Sequence, residues 1–211
     1  MSRNRTLSHL YTNNIPNVVF LAGDSHANWV SDLVWLDTKP YDQSTGVGSI
    51  GVEFAGTAVS SSGFGGTIES ANGKSRGLVR DNRELQWSEG YYRGYYELQV
   101  SPERIEASYF GECATRVLHI IFLVLCVYMA MGFIVNTLTG CPTVATRNPF
   151  KISLANFTVL AGDNRLQRNV ANGSVESGAL QIGSVKQTNL TLNTEAGTWN
   201  LTTFDQMFIK Y

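Results

Sequence analysis

The residues best suited by type and spacing to do chemistry lie in one short run, Leu21-Ala22-Gly23-Asp24-Ser25-His26. Glycine lets a chain turn sharply as it leaves a strand. An Asp and a His two positions apart at such a bend can present a carboxylate oxygen and an imidazole nitrogen to one site. That mixed donor set suits iron, manganese or zinc, and the carboxylate also serves a harder ion such as calcium. Asp24 and His26 are therefore the candidate metal ligands. The same four residues, Gly23 to His26, also suit an ordinary loop in which Asp24 caps a helix and His26 is solvated, and the run alone does not separate the two.

Other chemistry-bearing residues have plainer readings. His9 lies in a polar stretch and reads as surface. Glu53, between Val52 and Phe54, falls on the face opposite theirs and reads as a structural hydrogen bond or a solvent contact. Tyr91, Tyr92, Tyr95 and Tyr96 form an aromatic cluster whose expected work is packing on a sheet.

The elements that must position Asp24 and His26 follow from hydropathy. Asn17 to Ala22 is a short apolar, β-branched run ending at Gly23, the pattern of a buried strand entering a tight loop. Val30 to Leu36 is apolar again and suits a short helix or a further strand. Ser49 to Ser60 reads as a core strand with close backbone approach at its glycines, followed by a flexible Ser-Ser-Ser-Gly-Phe-Gly-Gly loop. Between Asn72 and Arg83 charges and glycine predict a surface connection or an exposed helix start. Tyr91 to Val100 alternates as a strand, Ser101-Pro102-Glu103 turns, and Arg104 to Phe110 supplies its antiparallel partner.

With 43% hydrophobic and 16% charged residues the chain can bury a core. A net charge of −1 without a basic cluster lacks the electrostatic footprint of a nucleic-acid binder. Cys113, Cys126 and Cys141 fit neither a metal-ligand spacing nor a dense disulfide framework. Asn-x-Ser/Thr acceptors at Asn4, Asn156, Asn172, Asn189 and Asn200 favour a secreted or luminal surface. Met1 to Ser8 is polar and has no leader pattern, so an export address is expected upstream of Met1.

Taken in order, Asn-Val-Val-Phe-Leu from Asn17, Gly-Asp-Ser-His-Ala-Asn-Trp from Gly23, Val-Glu-Phe-Ala-Gly-Thr-Ala-Val-Ser-Ser from Val52, Arg93-Gly94-Tyr95 and Ser101-Pro102-Glu103-Arg104 resemble the C-terminal end of the PhoD-like alkaline phosphatase and phosphodiesterase family, in its fungal form. The resemblance covers residues 17 to 111. It implies an α/β (α+β) sandwich fragment of a calcineurin-like metallophosphoesterase domain, with an iron and calcium centre at the C-terminal ends of its strands. The superfamily's last metal motif, Gly-His-x-His, becomes Gly-Asp-x-His in this family, as at Gly23 to His26. The resemblance thus carries over Asp24 and His26 as ligands and turns Ser25 away from the metal, while Asn28 and Trp29, by position, are candidates for the border of a substrate pocket or plain structural residues.

The implied reaction is hydrolysis of a phosphomonoester or phosphodiester by a metal-bound hydroxide. The family's remaining ligands belong to earlier motifs, and no segment before Asn17 offers them. The chain is therefore expected to be a fragment, inactive alone.

Val117 to Val135 is an apolar run of transmembrane length, with His119 its one ionisable side chain of the basic or acidic kind. Residues ending at Gly111 and resuming at Cys141 resemble consecutive sequence in fungal family members. Gly111-Glu112-Cys113 can be encoded with a splice donor and Leu138-Thr139-Gly140 with an acceptor, so residues 112 to 140 read as a retained intron or as a real membrane span. The expected organisation is 1–111 phosphatase portion, 112–140 apolar helix-like insert, and 141–211 small β-rich glycosylatable tail carrying Asn156, Asn172, Asn189 and Asn200. The expected location is secreted or cell surface, or single-pass membrane if the span is real. The rival function is a non-catalytic, membrane-anchored β-rich binding or cell-wall protein.

Overall fold

The computed structural model describes residues 2–23, 25–58, 61, 63–112 and 151–186. Asp24, the three cysteines, Asn189, Asn200 and all but the first residue of the apolar insert lie outside the described residues. Among the described residues, no helix is long and apolar enough to cross a membrane.

Two sheets pack face to face. The first has the order β1 (Val19–Ala22), β3 (Val52–Ala55), β2 (Asn28–Asp32), β4 (Leu85–Glu89), β9 (Ala179–Leu180). The second runs β5 (Arg93–Val100), β6 (Arg104–Glu112), β7 (Lys151–Leu160). A two-stranded parallel pair, β8 (Ser174–Val175) and β10 (Ser184–Val185), adjoins them. The core between the sheets combines Val30, Val52, Phe54 and Trp87 with Ala107, Tyr109, Leu154, Phe157 and Val159. Trp87 meets Tyr109 edge-on with ring centroids 5.0 Å apart and lies 5.4 Å from Phe157, an offset geometry that aromatic quadrupoles favour. Alternation in β3 buries Val52 and Phe54 and leaves Glu53 half-buried toward Ser31 Oγ, which donates to it at 3.5 Å.

The hairpin of β5 and β6 forms as its alternation predicts, paired from Arg93 and Glu112 to Val100 and Ile105. Ser101 closes the turn, its amide donating to the Arg104 carbonyl at 2.9 Å. The tyrosines do pack: Tyr96 stacks on Tyr109, Tyr95 tilts against Phe110, and Tyr91 meets Tyr92 edge-on. Residues 151–186 complete the same two sheets. β7 pairs along the whole of β6, and β9 adds to β4.

Three expectations change. The run 17–22 is not buried: among the described residues β1 pairs only with β3, at the sheet edge, leaving Phe20 39% and Leu21 58% exposed. The stretch expected as a connection or an exposed helix start is the body of helix α2 (Ile68–Asp81), whose Thr67 side chain caps the Ser70 amide. Its buried face, Ile68, Ala71, Asn72, Ser75 and Val79, is mostly small or polar, so hydropathy hides the helical period. An N-terminal helix α1 (Ser2–Asn13) stands where only polar sequence was read, held by Leu7 and Leu10 against Ile50.

Candidate functional site

Strand directions bring several strand ends to one edge of the first sheet. β1 and β3 run parallel and finish together at Ala22 and Ala55, while β2 runs against both β3 and β4, so its first residue, Asn28, lies opposite Glu89, the last of β4. The segment from Ser25 to Ala27, the segment leaving β3 through Gly56 and Thr57, and the turn from Glu89 into β5 therefore meet at this edge.

Ser25 fastens the loop. Its amide donates to the Gly56 carbonyl at 3.3 Å and its hydroxyl to the same oxygen at 3.0 Å, with a further bond to the Ala27 carbonyl. Its side chain is thus spent on backbone. His26 follows with φ of +62° and an exposed side chain. Left-handed backbone at a non-glycine residue costs on the order of 1 kcal/mol and persists only where neighbours enforce it. One enforcing contact is Arg93, whose Nη1 donates to the His26 carbonyl at 3.2 Å and to Ser61 O at 3.2 Å, while Nη2 donates to Gly90 O at 3.3 Å.

Arg93 is 2% exposed. Glu89, fully buried four residues earlier, feels the Arg93 charge. The Glu89 carboxylate accepts from the amides of Tyr91 at 2.6 Å and Tyr92 at 3.0 Å, from Asn28 Nδ2 at 3.1 Å and from Ser177 Oγ at 3.4 Å. Burial raises this carboxyl above the usual glutamate range, while the Tyr92 and Tyr91 amides, Asn28 and the Arg93 charge pull it down. Asn28, 1% exposed, uses its other end to accept from the Thr57 amide at 3.0 Å. Thr57 Oγ1 is buried beside it with no hydrogen-bond partner among the described residues.

Of the residues the sequence pointed to, His26, Asn28 and Trp29 fall on this one edge. Asn28 lies beneath the loop, its amide engaged by Glu89 and Thr57, and Trp29 is partly exposed opposite Ala55 and Ser88. Asn156, exposed on β7, and Asn172, exposed at φ +52°, lie elsewhere on the surface, as does Asn4 on α1. His9 is exposed on α1, accepting at its carbonyl from Asn13 Nδ2 at 2.8 Å. Sequence reasoning missed Glu89 and used Arg93 only as part of an ordered pattern. The available signal was a carboxylate closing a central strand with an arginine opening the next.

A metal ion at this edge would take His26 as one ligand of a set completed elsewhere. His26 offers an exposed imidazole on a fixed loop, and the unpartnered Thr57 hydroxyl shows polar capacity nearby. Among the described residues, however, no three His, Cys, Asp or Glu side chains gather into a cation site.

By fold the chain is a mixed α/β sandwich similar to the solved structure described as "Structure of PhoD", with a TM-score of 0.51 at 20% identity over 98% of this chain and 31% of that one. The chain belongs to the PhoD-like phosphatase family, whose model matches residues 1–109. It is 32% identical over 107 residues to alkaline phosphatase D of Bacillus subtilis strain 168, a match that takes in 51% of this chain and spans 17% of the length of that relative.

Proposed function

We propose that the chain provides the strand-end ligand loop of a phosphate-ester hydrolase of the alkaline phosphatase and phosphodiesterase type. The carrying observation is the convergence of a pinned, strained His26 loop with the Arg93, Glu89 and Asn28 network at one sheet edge, in a chain belonging to this family. The finer reading is a fungal-type, calcineurin-like metallophosphatase domain using iron and calcium. Asp24 and His26 are its ligands in this chain. A bound cation would supply Lewis acidity toward phosphoryl oxygens and acidify a water.

The chain's own residues have separate tasks. His26 offers a ring nitrogen, Ser25 fixes the loop to β3, Asn28 sets the Thr57 backbone, and the partly exposed Trp29 borders the space where an ester would lie. Two ligands do not hold a dinuclear centre, so the 211-residue chain by itself is expected to show no turnover. Exposure of Asn4, Asn156 and Asn172 supports a secreted or cell-surface location.

The test is a longer protein that carries this segment together with the family's other ligand motifs, assayed on a chromogenic phosphate ester with iron and calcium supplied. Asp24→Asn and His26→Ala should each lower kcat more than ~100-fold while circular dichroism stays unchanged. Turnover indifferent to both changes removes the reading.

A further inference from the structure

We propose that Arg93 is a positioning residue for the His26 ligand, acting through the His26 main chain. This deepens the function proposed above and rests on it for the identity of the ligand. The backbone conformation of His26 can be observed without any metal.

His26 sits at φ +62°, with Ser25 tied to β3 on one side of it and Ala27 buried on the other. The bonds made by Ser25 fix where the loop leaves β1 and, through its hydroxyl on the Ala27 carbonyl, bracket His26, but they do not reach the His26 carbonyl itself. That peptide's carbonyl receives Arg93 Nη1 at 3.2 Å. The same guanidinium reaches Ser61 O and Gly90 O, so one rigid planar group ties the ligand loop to the segment after β3 and to the turn after β4. A planar fork with several fixed donors can serve three carbonyls in different directions, which one ammonium on a flexible stem cannot.

The surroundings are shaped for the guanidinium. A Cβ at Gly63 would lie 2.1 Å from Arg93 Nη2, so only glycine leaves that space free. Glu89, fully buried four residues earlier, is itself held by the Tyr91 and Tyr92 amides and by Asn28. An arginine that merely stapled two loops would leave the conformation of His26 unchanged on conservative replacement. A positioning arginine would not.

The experiment uses the full chain, isotopically labelled, with wild type, Arg93→Lys, Arg93→Gln and His26→Ala compared by NMR. Carbon and amide shifts of His26 report its left-handed backbone, and titration with Mn2+ reads broadening of the His26 ring. Arg93→Lys is expected to move the His26 shifts away from left-handed values and to weaken Mn2+ binding at that ring by ~10-fold, with the Trp87 indole signal unchanged. Gly63→Ala would press on Gly90 O at 2.2 Å as well as on the guanidinium, so Arg93→Gln decides the matter if Arg93→Lys fails to fold.

Unchanged His26 shifts in a folded variant overturn the proposal. So does wild-type Mn2+ affinity at the ring in a folded variant. If Mn2+ binds wild type and His26→Ala alike, the metal reading falls, and the metal-free shifts still decide whether Arg93 sets the His26 backbone.

Discussion

Glu89 shows how one buried carboxylate both supports and burdens the site. Four donors converge on it, which suits an ionised acceptor, yet removal from water is the largest influence and holds its pKa above the ordinary value. A carboxyl raised in the folded state binds its proton more tightly folded than unfolded. Its contribution to stability is therefore fully present below the ordinary glutamate pKa and is lost as pH rises through the folded value. In Glu89→Gln the Tyr91 and Tyr92 amides keep an acceptor, but the new amide opposes Asn28 Nδ2, at a cost of about 1 kcal/mol. Urea unfolding should show that deficit near pH 5 and a smaller or reversed one near pH 8. A deficit that grows with pH would contradict the assigned direction. None of this was legible beforehand, because a sequence does not say which glutamate closes a central strand under four donors. His26 drew notice because glycine, acid and imidazole sit side by side in the chain.

Elements were readable where one hydropathy pattern decides them, as in the hairpin of β5 and β6. They were misread where burial depends on distant partners. β1 is apolar throughout yet lies at an edge, and α2 hides its period behind Ala71, Asn72 and Ser75. The end of β2 is another such case. Asp32, with a fully buried side chain, accepts from Arg168 Nη2 at 2.5 Å, Tyr41 Oη at 2.9 Å and the Leu166 amide at 2.9 Å. Burial, and then the Asp32 charge, push the Tyr41 phenol up. Arg168 also caps Gln43 O and Leu166 O, so one ion pair ties β2 to two loops that are remote in sequence. Removing one partner of a buried pair leaves the other uncompensated, typically costing 3–5 kcal/mol. Arg168 keeps some solvent contact, so Arg168→Met is expected to cost roughly 3 kcal/mol in chemical unfolding. Asp32→Asn should cost less, since the amide oxygen can still accept. Equal stability of Arg168→Met and wild type would show that the pair is only decorative.

At the scale of the whole molecule, the decisive fact is the register of β6 with β7. Glu112 lies opposite Lys151, Gly111 opposite Ile152, and pairing continues to Arg104 and Leu160. The strands on either side of residues 113–150 are therefore already adjacent, and the core residues Leu154, Phe157 and Val159 come from beyond that stretch. Deleting 112–140 leaves residues 141–151 to join Gly111 to Ile152, eleven residues in place of the forty from 112 to 151. Eleven residues comfortably close an antiparallel pair, whose ends can be joined by a loop of only two. Shortening the closure from forty to eleven also lowers its entropic cost, by about 1 kcal/mol on the logarithmic dependence of closure on length. The deletion variant should therefore fold without detergent and unfold at an equal or slightly higher urea concentration. The Trp87, Tyr109 and Phe157 cluster should keep its near-ultraviolet signature. A deletion variant that aggregates or loses this signature would show that residues 112–140 belong to the fold rather than interrupting it. Sequencing the spliced transcript then separates the two origins of a dispensable segment: a message without those codons marks a retained intron, and one that keeps them marks a tolerated insertion.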